Sequence, residues 1–511
     1  MLNGPFTMPM FREFVPRKLQ PWIYLVFAII FQLTGGIYLG SLSQMMGTTS
    51  LMREDIMMVG LCGVVGVNMP FPLLFRFKFR FTNRQLLLNA AIIVLVCNVL
   101  CLYTTSVPLL CIISFIAGFF KLCGTFECFS NIQLWMTPKR DFAIFFPIIY
   151  IVVIGDMSMS SWVAQNITYY FGGWQQMHFF MIGLLLLVIL SVYTLTKDFR
   201  FMKPLPLISV DWLGCLLWSA LMVEVIFLFT YGEYYNWWDG APFRLGVYLL
   251  PVTAYFCIGR MRHIRHPYIA PEAWRYKTLI PLLSLYAIAE LMNSTPHALQ
   301  NAFTGGVLHF GTLTSSVFSL VELAGTVCGC MFVLIWIKVL HQKFTRLLAI
   351  GFMALLGYQV MMYFYITPTL NIQRLYLPIW MRTFGYAIYF TALTIYLEEL
   401  MPFQHFFMGL TMSGFARNGV VEAICTGVYS YGVRHQVADN IVRTLPYDTV
   451  QSVMVSIKQL FGYTCMGGCV FLFILLLYDV QPLRDGLKKI PYWNVLGRIM
   501  KKEFRIKKEN T

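Results

Sequence analysis

Six carboxylates, Glu127, Asp156, Glu224, Glu290, Glu322 and Glu422, stand inside long apolar stretches of this 511-residue sequence, as do the basic residues Lys121, Arg382 and Arg417. Hydrocarbon excludes such groups at a cost of roughly 2.5–3.5 kcal/mol each, so each is expected to face a cavity or a partner. The chemistry open to them is proton exchange. Burial favours the protonated carboxyl, and a nearby cation favours the carboxylate. A carboxyl poised between the two can load a proton on one side and release it on the other. When proton loss also changes which helix packing is favoured, the proton is coupled to a conformational change. Asp156, near the middle of its apolar run, is the first candidate for this coupling. Glu127 and Lys121 come second. They lie six residues apart, about 120° from facing each other on a helix, so each is expected to pair with another helix. Glu322 and Glu290 come third. Arg417 and Glu422 read as a structural pair, and Glu224 ranks last.

Other chemistries find little support. The sequence contains no HExxH and no GxSxG. His263 and His266 flank a basic turn whose first acid is Glu272, and His178, His297, His309, His405 and His435 are dispersed. An enzyme needs an acid, a base or metal ligands gathered at one place. No enzymatic activity, cofactor or metal is therefore expected. The 13 cysteines include no CxxC pair. Cys328 and Cys330 would point to different faces of a helix, and the cysteines read as small apolar packing residues.

The elements that must hold these groups are membrane helices. The chain is 58% hydrophobic and 12% charged, with a mean hydropathy of +0.67. A soluble domain has about 25% charged residues. The apolar runs are long and continuous, which excludes a barrel built of roughly ten-residue alternating strands. Fourteen spans are predicted, at 22–46, 56–75, 85–103, 108–134, 142–168, 176–196, 210–231, 243–259, 278–301, 311–338, 346–365, 374–400, 406–432 and 461–480. Span 1 is too long for a cleaved signal segment.

The net charge of +15 sits in short loops and in the C-terminal tail. Arg76, Lys78, Arg80 and Arg84 follow span 2, Lys139 and Arg140 follow span 4, and Lys197, Arg200 and Lys203 follow span 6. Arg260, Arg262, Arg265, Arg275 and Lys277 follow span 8, and Lys338, Lys343 and Arg346 follow span 10. The intervening loops are poor in Lys and Arg. This is the positive-inside pattern, and it puts both termini in the cytoplasm. It also accounts for the basic charge without nucleic acid, which is not expected as a partner. Only the loop after span 12, 398–405, lacks the expected cations. Tyr231, Tyr234, Tyr235, Trp237 and Trp238 read as an interface belt, and the basic tail reads as lying on anionic lipid.

Several stretches resemble one family. The basic run Lys78-Phe-Arg-Phe-Thr-Asn-Arg84 is echoed by His341-Gln-Lys-Phe-Thr-Arg346, as repeated halves would produce. Trp162 and the Gly173-Trp174 turn resemble the antiporter signature of span 5, with Ser158, Ser160 and Ser161 where that signature prefers Gly and Pro and Asp156 where it has a glycine. Asp211-Trp-Leu-Gly214 and His266-Pro-Tyr-Ile-Ala-Pro-Glu-Ala-Trp274 resemble the starts that flank an inserted helix pair. Arg417-Asn418 resembles an Arg-and-glycine stretch in span 13, with Val420 and Val421 replacing glycines.

Together these stretches resemble the fourteen-helix drug:proton antiporter family 2 of the major facilitator superfamily (EmrB/QacA type), as a divergent member. The loop 2–3 motif lacks its Gly and Asp, the span 1 acid is absent, and Ser114 stands near the place of the span 4 arginine, with Lys121 seven residues on. The resemblance implies an all-α membrane fold of two six-helix bundles plus two inserted helices. Its parts would be a cytoplasmic segment 1–21, a bundle 22–200, the inserted pair and linkers 201–277, a second bundle 278–482 and a basic tail 483–511. It implies proton-driven efflux of hydrophobic or amphipathic compounds across the inner membrane, with a periplasmic adaptor protein and an outer-membrane channel as partners. Proton-coupled uptake or metabolite transport by the same fold is the alternative, since fold does not set direction.

Overall fold

The computed structural model describes residues 10–34, 37–137, 141–200, 203–207, 210–276, 278–340, 344–417, 419–444 and 449–478. Lys139, Arg140, Lys277, the 341–343 part of the basic echo, Asn418 and the tail 483–511 lie outside them. The described chain is helical, with one isolated bridge between Phe11 and Thr196. Its helices are α1 (Gln20–Leu33), α2 (Ile37–Gly40), α3 (Leu42–Thr48), α4 (Arg53–Asn68), α5 (Leu74–Arg80), α6 (Asn83–Tyr103), α7 (Val107–Met136), α8 (Phe142–Phe171) and α9 (Gln175–Leu195). They continue as α10 (Trp212–Tyr231), α11 (Ala241–His263), α12 (Leu279–Asn293), α13 (Thr312–Ile335), α14 (Phe344–Tyr365), α15 (Gln373–Leu400), α16 (Phe403–Phe415), α17 (Val420–Thr444) and α18 (Thr449–Tyr478).

The described parts of the fourteen predicted spans fall on these helices and on the short turns that extend them. Ten helical stretches among the described residues are long and apolar enough to cross a membrane, so the protein is a multi-pass membrane protein. The other spans are interrupted or more polar. Span 1 is built from α1, α2 and α3, and span 9 from α12 followed by wide π-type turns at Pro296–Gln300 and Ala302–Val307. Span 12, α15, carries Arg382 within a largely buried helix. Span 13 divides into α16 and α17 at Gly419, whose φ of +94° is a backbone state that favours glycine.

Polarity runs opposite to that of a soluble protein. Outward stripes at helical spacing are apolar, as in Ile92, Val96 and Leu100 on α6, or Met466, Val470 and Ile474 on α18, while Asn98, Lys121, Glu127, Asp156 and Glu290 are buried. Hydrocarbon solvates the first set, and protein must satisfy the second.

Helices α1 to α9 pack on one another around α7, which touches α1, α4 and α6. In the second half α15 packs against α12, α13 and α14, and α14 against α18. The halves meet where α8 lies along α13. Helices α10 and α11 pair, and α10 also lies against α4 and α17. Backbone-to-backbone contact between α4 and α7 depends on Gly66 and Gly118: a Cβ at either would strike the main chain of the other helix.

Local chemistry sets several helix ends. Thr82 and Gln85 cap α6 reciprocally. Asp211 caps α10 through the Gly214 amide at 2.9 Å, pairs with Arg260 of α11 at 2.7 Å and accepts the Tyr268 amide at 3.2 Å. The Tyr268 hydroxyl reaches the Met69 carbonyl at the end of α4, at 2.5 Å.

Candidate functional site

A cavity of about 470 Å³ lies among α1, α4, α7 and α8 of the first half, closed on the other side by Tyr386 of α15, by α16 and by Arg417. Much of its wall is aromatic. Phe75 packs on Phe126, Phe403 and Phe407 with ring centroids 5.4, 5.1 and 4.8 Å away, and Phe146 packs on Phe406 at 5.9 Å. These contacts join the two halves at the end where α5 lies. Polar groups break the apolar surface at Gln32, Asn98, Thr125 and His178, and its cations are Lys78, Lys121 and Arg417.

Lys78 was expected in a loop. It lies instead in helix α5, buried, with its Nζ 3.1 Å from Glu127 Oε2. It also donates to Ser130 at 2.5 Å and Asn131 at 3.3 Å. Asn131 in turn donates to the other Glu127 oxygen at 3.0 Å. Glu127 is thus held by two helices, α5 and its own α7. The apolar stretch continues through Phe75, Phe77 and Phe79, and this carries the basic run into the protein instead of ending the helix. Arg76 and Arg80 belong to the same helix, while Arg84 lies over the Tyr193 ring at 4.6 Å.

Lys121 is 7% exposed and donates to the Gln32 carbonyl of α1 at 2.8 Å. Its charge and that of Asp156 act on one another, but the two are not within ion-pair distance. Asp156, 4% exposed, does not line the cavity, whereas its neighbours Ile154, Met157 and Ser160 on α8 do. Its Oδ1 has no hydrogen-bond partner among the described residues. A buried carboxyl oxygen left in that state is energetically exposed to any change in protonation.

The second half holds a separate cluster. Arg382 of α15 pairs with Glu322 of α13 at 2.5 Å and donates to the Asn293 side chain at 2.9 Å. Ser158 of α8 donates to the other Glu322 oxygen at 3.3 Å, so this carboxylate bridges the halves. Glu290 accepts from Tyr386 at 3.1 Å and Asn293 at 3.3 Å. Glu422 faces His297 at 3.4 Å, and the His297 carbonyl accepts from Arg53 of α4 at 3.1 Å.

The expected Arg417–Glu422 pair is absent. The break at Gly419 separates the two residues, and five positions on one helix would in any case put them about 140° apart. Arg417 lies over the Phe390 ring at 4.1 Å, and its Nε has no partner among the described residues. Glu224 accepts from Thr253 at 2.6 Å, joining α10 to α11. Sequence reasoning missed the buried setting of Lys78 and the parts played by His297, Ser158, Tyr386 and Arg53. The uninterrupted apolar alternation around Lys78 was a usable signal; the other four carried none.

No protein-family description matches the chain, and no curated protein matches it in sequence. Its backbone is similar to solved transporters. An auto-inhibited POT family peptide transporter aligns at 15% identity over 89% of this chain and 96% of its own, with a TM-score of 0.56. A second POT peptide transporter aligns at 12% identity over 91% and 96%, with a TM-score of 0.60. The proton:xylose symporter XylE, of the major facilitator superfamily, aligns at 11% identity over 89% and 95%, with a TM-score of 0.50. The likeness shows that the chain has the major facilitator fold.

Proposed function

We propose that this protein is a proton-coupled secondary transporter of small hydrophobic or amphipathic compounds, working by alternating access. One observation carries the reading: an aromatic cavity of drug-binding size between the two halves, with the incompletely bonded carboxyl of Asp156 just behind its wall. Protonation of Asp156 would change its demand on Lys121, and with it the balance between packings of the two halves. Glu322, tied to both Arg382 and Ser158, is the second candidate, because any rocking of α13 on α8 must remake its hydrogen bonds.

The resemblance to the fourteen-helix antiporters favours efflux, with both termini on the cytoplasmic face of the inner membrane and an adaptor and outer-membrane channel completing the path. Uptake is the second reading. The lack of an acid in span 1 favours it, as does the likeness to peptide transporters and a proton:xylose symporter.

The test is flux in proteoliposomes containing the purified full chain. An imposed pH gradient should drive a fluorescent amphiphile, and Asp156→Asn should abolish that flux while the protein still inserts and elutes as wild type. Flux of equal rate in the mutant would remove Asp156 from the mechanism. The sign of the gradient that drives accumulation separates efflux from uptake.

A further inference from the structure

The cavity is built with one sign of charge. Among the described residues its lining includes the cations Lys78, Lys121 and Arg417 and no Asp or Glu. The carboxylates of the first half lie outside the lining: Glu127 is occupied by Lys78, and Asp156 sits beyond the wall. Neither Lys121 nor Arg417 makes an ion pair among the described residues. Among the described residues Lys121 has one hydrogen-bond acceptor, the Gln32 carbonyl, for an ammonium that can donate three bonds. Arg417 presents one face to Phe390, and its Nε has no partner among the described residues.

The two cations serve one volume. The charge of Arg417 acts on Tyr150, and that of Lys121 acts on Asp156, six residues further along α8. Both cations line the same cavity, Lys121 from α7 and Arg417 from beyond α16. The adjoining wall is aromatic and aliphatic, at Phe145, Phe146, Ile149 and Phe407. Among the described residues neither cation has a carboxylate within ion-pair distance, since Asp156 acts on Lys121 and Glu290 on Arg417 only from farther off, and an oxyanion on an apolar body would give both a direct partner.

We propose that the transported compound is an organic anion: a carboxylate, sulfonate or phosphate on a hydrophobic body, with the oxyanion held by Lys121 and Arg417. This rests on the transporter reading above and names the substrate class of the same cavity. An amphiphilic ammonium is excluded by the same charge pattern.

The test uses one apolar body in three charge states: pyrenebutyrate, neutral pyrenebutanol and cationic pyrenebutylamine. Binding is measured to the full chain in phosphatidylcholine nanodiscs, with empty nanodiscs subtracted. Pyrenebutyrate should bind at least about tenfold tighter than the alcohol, and the amine more weakly still. Lys121→Gln and Arg417→Gln should each weaken pyrenebutyrate by about tenfold and leave the alcohol unchanged, and Lys121→Arg should restore most of the loss. Arg417→Gln, at a residue with no ion pair to lose, keeps the test decisive when Lys121→Gln fails to fold.

Equal binding of all three probes, or preference for the amine, overturns the inference. Displacement of pyrenebutyrate by phosphatidylglycerol in the disc overturns it too, by assigning the oxyanion to a lipid. Selective binding of pyrenebutyrate with no gradient-driven flux in proteoliposomes would sink the transporter reading and leave the charge selectivity standing. Flux of the amine alone would do the reverse.

Discussion

The two halves handle buried charge differently. In the first half, Glu127 is saturated by Lys78 and Asn131, while Asp156 and Lys121 stand apart beside the cavity. In the second half, Glu290, Glu322 and Glu422 each have a close partner in Tyr386, Arg382 or His297, and two contacts of this cluster come from the first half, through Ser158 and Arg53. A saturated pair fixes structure, because any change in it costs more than it returns. A group with an open hydrogen-bonding position can change state. The comparison therefore separates Glu127, bonded at both carboxylate oxygens, from Asp156, which keeps one oxygen without a partner among the described residues.

The sharpest way to break this comparison is to remove one member of the saturated pair. Lys78→Met should lower stability by about 3–5 kcal/mol, because it strands the Glu127 carboxylate. Thermal unfolding in detergent measures it, and the double change Lys78→Met with Glu127→Leu should recover most of the loss. Asp156→Asn should do the opposite: stability within about 1 kcal/mol of wild type, since its carboxyl oxygen gives up no bond, yet no proton-driven flux. A large fall in unfolding temperature for Asp156→Asn would make it another structural residue.

Smaller effects sharpen the boundary between halves. Ser158→Ala removes one hydrogen bond across the interface, worth about 1 kcal/mol, and should raise hydrogen exchange in α8 and α13 while leaving α6 unchanged. Thr253→Val removes the neutral-donor bond to Glu224. It should cost about 1 kcal/mol or less and leave flux at the wild-type rate, because α10 and α11 lie outside the cavity wall.

The spans were legible because the bilayer imposes them. A run of apolar residues long enough to cross hydrocarbon has little choice but helix, so ten of the intervals coincide with helical stretches long and apolar enough to cross a membrane. The interruptions were not legible: the π-type turns after α12 and the break at Gly419 depend on what packs around them. Among the site residues, burial of Asp156 and Glu127 followed from their place in apolar runs. Their partners did not, because a partner is fixed by how helices rotate against one another. Lys78 reads as a loop cation for want of that information, and an Arg417–Glu422 pairing neglects both helical phase and the glycine between them. His297 looked like one of several scattered histidines until its π-type segment put it against Glu422.

Asp211 sits at a crossing of three segments, and Tyr268 extends that crossing to the end of α4. The connector between the halves is thus stitched at one end to the inserted pair and at the other to a helix of the first half. Such a strap acts as a mechanical linkage. A tilt of the halves would oblige α10 and α11 to travel with α4 or the stitches to tear, so the added pair is leashed to the bundle and does not float in the lipid as a passive spacer.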